Sequence, residues 1–184
     1  MAAGIPAASY EIAENGSAYT AEVQLEDAEA YLFSDPGMLG EQVPVEVSGV
    51  RLFAPNGSVA AYEEIGRSTI EFPRGNYTLV YSSPLRNFYL QQVFDRYYRV
   101  NVTVPSGFDV RNPLLGGWSP GAEVTSGANM TSVLAWERTR EFSVRFYDPA
   151  RESLLWFFGT AWAAVAIVLL FPFVLSRLAR RGRG

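Results

Sequence analysis

The chain has 184 residues, with 15 Arg against 19 acidic side chains for a formal net charge of −4, and it contains no Cys, no His and no Lys. The missing Cys excludes disulfides and thiolate metal sites, and the missing His and Lys remove the commonest general base, the commonest metal ligand and all lysine Schiff-base chemistry. Residues up to Glu152 carry all nineteen acidic groups against eleven Arg, a balance of −8, which argues against nucleic acid as a partner because phosphate binding needs clustered positive charge.

Residues 1–18 read as an N-terminal lead-in. Met1 to Ser9 has neither the basic start nor the apolar run of a secretory signal, although Ala7, Ala8 and Ser9 resemble the end of one, so a natural start upstream is expected. From Tyr19 the pattern turns to period two: Tyr19, Ala21, Val23 and Leu25 share one side, and Thr20, Glu22, Gln24 and Glu26 the other, which predicts a half-buried strand. Val45, Val47, Val50, Leu52 and Phe53 predict the next strand or pair, closed by the hairpin signal Asn56-Gly57. Thr69 to Phe72 reads as a short strand, Pro73-Arg74-Gly75 as a turn, and Tyr77, Leu79 and Tyr81 as a further alternation.

Residues 87–104 are rich in aromatic and β-branched side chains, which favours two strands, 87–94 and 97–104, turning at Asp95-Arg96. A Gly- and Pro-punctuated segment follows. Two last strands, Val133 to Trp136 and Glu141 to Tyr147, are separated by a polar turn at Arg138-Thr139-Arg140, and Asp148-Pro149 ends the domain. The spacing of eight to ten short strands predicts a mainly β domain over 19–149, an antiparallel β-sandwich of Ig-like or Greek-key type.

Leu154 to Leu175 contains no charged residue, and as a helix it covers about 33 Å, enough for the hydrocarbon layer. The tail, 176–184, holds Arg177, Arg180, Arg181 and Arg183 and no acid, so the positive-inside bias places it in the cytoplasm and the β-domain outside a cell membrane crossed once. Trp156, Phe157 and Phe158 suit an interfacial aromatic belt. Gly159 and Ala163 make a small-xxx-small step that permits a homodimer through the span.

Five Asn-x-Ser/Thr sequons, at Asn15, Asn56, Asn76, Asn101 and Asn129, exceed the match or so that chance predicts from seven Asn, and none has Pro in the middle. They predict a glycan-bearing exterior. Strand parity predicts that Asn101 and Asn76 face solvent while Val100, Val102, Val104, Tyr77, Leu79 and Tyr81 face the core. Trp118, within Gly-Gly-Trp-Ser-Pro-Gly, is a candidate partner contact, with tucking beneath its own loop as the favoured alternative.

No catalytic, metal or cofactor residues are predicted. Glu63 and Glu64 are adjacent, so on a strand they point to opposite faces. Asp95, Asp109, Glu123 and Asp148 are expected in solvated or turn-capping roles, and no acidic calcium-loop spacing occurs.

The stretch FDVRNPLLGGWSPG followed by FSVRFYDPARESLLWFFGTAW and a basic tail resembles uncharacterised archaeal proteins with a β-rich exterior domain and one C-terminal membrane helix. The resemblance covers about the last hundred residues. It implies an architecture and carries no activity over. The function expected is therefore a membrane-anchored, cell-surface binding or structural protein and not an enzyme. Its partners beyond the lipid bilayer are expected among envelope proteins, polysaccharides or another membrane subunit. The alternatives are an accessory subunit of a membrane complex and, least favoured, a carboxylate-dependent glycan hydrolase.

Overall fold

The computed structural model describes residues 4–37, 41–127 and 130–181, with side chains through Phe171. The chain divides into two units, 1–147 and 148–184. The first is mainly β. Its strands are β1 (Ala7–Ile12), β2 (Ala18–Leu32), β3 (Ser34–Pro36), β4 (Gln42–Pro44), β5 (Ser48–Phe53) and β6 (Val59–Ala60). They continue with β7 (Glu63–Ile65), β8 (Thr69–Pro84), β9 (Tyr89–Val104), β10 (Gly117–Trp118), β11 (Glu123–Ser126) and β12 (Ser132–Arg145).

Ten of these form one sheet in the order β10-β12-β9-β1-β2-β8-β5-β6, with β11 also on β12 and β7 on β8; β3 and β4 pair separately. The sheet is mixed and not antiparallel throughout, because β1 runs parallel to β9, with Ala8 opposite Val100 and Tyr10 opposite Val102. Residues 7–12, read from sequence within a lead-in, thus fill the middle of the sheet. Ala8, Tyr10 and Ile12 are buried and Ser9 and Glu11 exposed, the same period-two pattern as β2, with which β1 forms a hairpin.

Four strands are long where the sequence predicts short ones: β2, β8, β9 and β12 run 15, 16, 16 and 14 residues. The expected turns at Pro73-Arg74-Gly75, Asp95-Arg96 and Arg138-Thr139-Arg140 are bulges inside them. Register between β2 and β8 shifts between Leu25 and Ala28 and again before Ala30. Register between β12 and β9 shifts on both sides of Thr139, so that Thr139 faces Tyr98 while Glu141 faces Val93. Polar and Pro/Gly residues there interrupt the ladder and bend it without reversing the chain. The Asn56-Gly57 signal does form its hairpin, joining β5 to β6, with Gly57 at φ +80°.

The core follows the expected parity on β2 and β9: Tyr19, Ala21, Val23 and Leu25 are buried, as are Val100, Val102 and Val104. Large aromatics fill the remainder, with Tyr10 5.0 Å from Phe142, Phe33 4.9 Å from Tyr81 and Trp136 5.4 Å from Phe142 between ring centroids. Each such side chain contributes about 2–3 kcal/mol by burial, which gives a domain without disulfides its stability. At one end Phe88, Phe108 and Phe146 pack together. Asn87 and Phe88, at φ 57° and 53°, make the tight Arg86–Tyr89 turn between β8 and β9. Gly16, at φ +67°, lies against this cluster, where a Cβ would stand 2.6 Å from the Phe108 ring.

The second unit is one helix, α1 (Pro149–Arg181). It starts five residues before the uncharged run because Asp148 caps it, its Oδ1 accepting from the Ala150 N–H at 2.8 Å, with Pro149 in the first position. Its apolar stretch Pro149–Phe171 is long enough to cross a membrane, and none of its most apolar window is buried. Thr160, the one hydroxyl of residues 154–171, donates back within the helix to the Trp156 and Phe157 carbonyls at 3.0 and 2.9 Å.

Candidate functional site

The bulges lie close together on the sheet. At the β2 bulge Asp27 takes φ 52°, and its N–H donates to Asn76 Oδ1 at 2.8 Å. Its carboxylate receives two hydrogen bonds from Arg74, at 2.8 and 2.7 Å. That guanidinium holds the exposed Asp27 carboxyl below its ordinary range. The β9 bulge reaches across: Arg96 Nη1 donates to the Glu26 carbonyl at 3.2 Å and the Tyr98 hydroxyl to the Gln24 carbonyl at 3.0 Å. Bulges re-aim side chains and gather next to sites. Here they frame a recess of about 210 Å³ lined by Ala28, Tyr31, Gln92, Phe94, Asp95 and Tyr98.

Inside lies a polar seam. Gln92 is buried, and its amide donates to Asp35 Oδ1 at 3.0 Å and, more loosely, to the Tyr19 hydroxyl at 3.4 Å. The Ser83 hydroxyl, also buried, donates to the Glu46 carbonyl. Burial pushes the hydroxyls of Tyr10, Tyr31, Tyr81 and Tyr98 above their ordinary range, and that of Tyr19 up to about 12, with Asp35 adding to the last. All five stay protonated at neutral pH. Half-burial likewise raises Asp35, opposed by the Gln92 hydrogen bond and by Arg86. The Tyr10 hydroxyl is enclosed without a hydrogen-bond partner of normal geometry among the described residues, its weak interaction with Tyr81 notwithstanding.

A wider, open cleft of about 700 Å³ is lined by Glu29, Tyr62, Glu63, Glu71, Phe72 and Tyr77. Glu63 faces Glu71 directly across β7 and β8, a like-charge pairing that costs stability. Sequence reasoning compared Glu63 with its neighbour Glu64 and missed Glu71. The signal was the Gly66 turn, at φ +70°, which folds residues 63–65 onto 69–71. An aromatic wall beside two carboxylates suits hydroxyl-rich or cationic groups. Among the described residues no three acidic groups are placed to hold a metal ion.

The carboxylates singled out from sequence do not converge there. Asp109 Oδ1 accepts from the N–H groups of Val110 and Arg111 at 2.6 and 3.0 Å, Asp148 caps α1, Glu123 is exposed on β11, and Asp95 pairs with Arg96 at 3.3 Å.

Of the sequon residues, Asn15, Asn56, Asn76 and Asn101 are exposed, and Asn129 lies outside the described residues. Asn15 and Asn56 each accept from the N–H and hydroxyl of the Ser two residues on, at 2.7–3.0 Å. Asn76 latches the β2 bulge through its oxygen. Trp118 is not tucked beneath its loop: it sits 39 % exposed on the short strand β10, opposite Val144 of β12. Gly159 and Ala163 are exposed one turn apart on α1, and a Cβ on Gly159 would meet nothing within 4 Å. The side chains of Arg177, Arg180 and Arg181, and the whole of Arg183, lie outside the described residues.

A comparison with curated proteins finds no match. Residues 6–177, from the residue before β1 to well along α1, match the model of a family of unknown function, and the chain therefore belongs to that family, DUF5803.

Proposed function

We propose that this protein is a single-pass membrane protein that holds its β-domain outside the cell and acts by binding, in a surface-recognition or structural role, and not by catalysis. One observation carries the reading: the 23-residue stretch Pro149–Phe171 is long and apolar enough to cross a membrane, and among the described residues none of its most apolar window is buried. In water an exposed apolar surface of that size is unfavourable, and in a bilayer about 30 Å thick it is satisfied, since a helix closes its own backbone hydrogen bonds. Arg177, Arg180, Arg181 and Arg183 hold the tail in the cytoplasm. The bulges let the long strands fold the sheet over its own core in the manner of a sandwich, supported by the Gln92 contacts to Tyr19 and Asp35 across that core. The exposed Asn15, Asn56, Asn76 and Asn101, with Asn129, carry glycans in the native host.

Alkaline carbonate extraction and protease treatment of intact cells test this together. The expected outcome is a chain that stays with the membrane pellet, loses its β-domain to external protease and keeps its tail. Release by carbonate, or a protected β-domain, refutes the anchoring or the topology. A second reading, an accessory subunit held by contacts along α1, is favoured by the exposed Gly159 and Ala163 face. Removal of α1 then abolishes complex formation, whereas a surface-binding domain keeps its ligand.

A further inference from the structure

The domain up to Glu152 is acidic by eight charges, yet one face reverses that sign. Arg138 and Arg140 of β12 both lie over the Tyr97 ring of β9, with guanidinium carbons 4.2 and 4.8 Å from its centroid, and Arg145 lies 5.6 Å from the Tyr89 centroid. All three Arg are exposed, and the rings are 41 % and 38 % exposed. Arg96 and Arg99 on the same strands are paired to Asp95 and Glu137. Arg138, Arg140 and Arg145 have no carboxylate within 4.0 Å among the described residues. The acids beside them are Asp95 and Glu137, already paired, and Glu141.

Two guanidiniums over one ring stand within about 9 Å of each other, a repulsive arrangement that an anion bridging them relieves. A guanidinium drawn to a ring face by the cation–π attraction keeps its planar fork of N–H donors, which suits bidentate bonds to an oxyanion. The double bulge at Thr139 builds the arrangement, since it brings Arg138 and Arg140 to the same ring. From there to Arg145 is about 17 Å, five residues of strand. Between lie Glu141 opposite Val93, both exposed, and then the directly opposed pair Gln91 and Ser143, an amide and a hydroxyl, so the one carboxylate of the interval sits beside Arg140 and leaves the Arg145 end to the neutral pair.

We propose that this outer face of β9 and β12 binds an anionic polysaccharide, one bearing carboxylate or sulfate groups along its chain. Two positive poles about five residues apart, with hydrogen-bonding amide and hydroxyl groups and exposed tyrosine rings along the strip, match a polymer with spaced charges and many hydroxyls. The acidic remainder of the domain does not prevent this at physiological salt, because its repulsion is screened beyond about 8 Å while contact pairs persist. The proposal names the partner of the binding protein inferred above and rests on that reading.

The test uses the full chain in detergent micelles at physiological salt, with labelled polygalacturonate and dextran sulfate as probes. Neutral dextran, polyglutamate and anionic phospholipid vesicles serve as competitors. Wild type is expected to bind one or both charged polysaccharides and not dextran, and R138Q/R140Q to bind at least about tenfold more weakly, as loss of charge-assisted hydrogen bonds implies. Arg67→Gln, exposed on the β7–β8 turn, is expected to bind as wild type. Absence of polysaccharide binding, equal binding by R138Q/R140Q, an equal loss in Arg67→Gln, or preference for polyglutamate or vesicles overturns the proposal. Carbonate extraction of the same variants reads the anchoring separately, so failure of the strip and failure of the membrane reading are told apart.

Discussion

Replacing Tyr10 by Phe should stabilise the protein. The Tyr10 side chain is 1 % exposed, and its hydroxyl has no hydrogen-bond partner of normal geometry among the described residues. A buried polar group left unpaired costs about 1–3 kcal/mol. The ring packs 5.0 Å from Phe142 and 5.8 Å from Tyr19, and Phe keeps these contacts while removing a single oxygen, so almost no cavity opens. The weak interaction with Tyr81 recovers part of the cost in wild type, which sets the expected gain near the lower end, about 1 kcal/mol. Tyr98→Phe is the matched opposite: it removes the bond to the Gln24 carbonyl at 3.0 Å and should lose about 1 kcal/mol. Urea unfolding of the full chain in micelles reads both, by tryptophan fluorescence in a background with Trp156 and Trp162 replaced by Phe so that the β-domain dominates the signal. With a slope of about 2 kcal/mol per molar, the midpoints move about 0.5 M in opposite directions. A loss of stability in Tyr10→Phe comparable with that in Tyr98→Phe would show the hydroxyl to be paired and refute the reasoning.

Gly16→Ala should cost about 3 kcal/mol, because φ +67° strains the new residue and its Cβ meets the Phe108 and Phe88 rings at 2.6 and 2.9 Å. Gly57→Ala, at φ +80° but in open space, should cost only about 1 kcal/mol, and equal losses would show that backbone strain alone decides. Asp35→Asn keeps the acceptor for Gln92 and removes a carboxyl whose partial burial raises its pKa above the ordinary carboxylate value. On raising the pH the unfolded chain ionises at this position first, so the wild-type contribution is full in acid and falls above the ordinary carboxylate range. The variant should therefore gain Tm over wild type at neutral pH and lose the advantage in acid, and a pH-independent offset would contradict this. The same linkage at Tyr19, raised from 10.0 to about 12, predicts stability lost as pH climbs from 10 through 12. Tyrosinate absorbance should rise with unfolding for the buried tyrosines and not ahead of it.

Alternation was legible wherever a strand kept one face. Tyr19 to Leu25 and Val100 to Val104 have the predicted parity because a strand in a sheet with one buried side has no other way to place them. The same logic applied to Ala8, Tyr10 and Ile12, but their polar partners and small residues resembled a leader, and a six-residue strand shows only three inward positions. Turn chemistry was the weaker guide. Pro73-Arg74-Gly75 and Asp95-Arg96 carry the residues of a reversal, yet the aromatic and β-branched runs on both sides pair with the same neighbours, so the cheaper solution is a bulge in one long strand. The parallel β1–β9 pairing was not legible at all, since side-chain alternation is the same for parallel and antiparallel neighbours when one face is buried.

Sites that depend on register lie one level beyond alternation. Parity places Tyr97 outward from β9, but which guanidiniums cover it depends on Thr139 facing Tyr98 while Trp136 faces Val100 and Glu141 faces Val93. Those offsets arise from one bulge on each strand, and their sum is invisible in either segment alone. Glu63 and Glu71 show the same limit: eight positions apart, they meet because of a single Gly turn. The helix stands at the other extreme. An uncharged run of twenty-two residues needs no partner strand to define it, and its cap, Asp148-Pro149, is written in adjacent residues. What this sequence states locally is therefore its long apolar helix and its core faces, and what it leaves to the fold is the pairing that brings Arg138, Arg140 and Tyr97 together on an acidic domain.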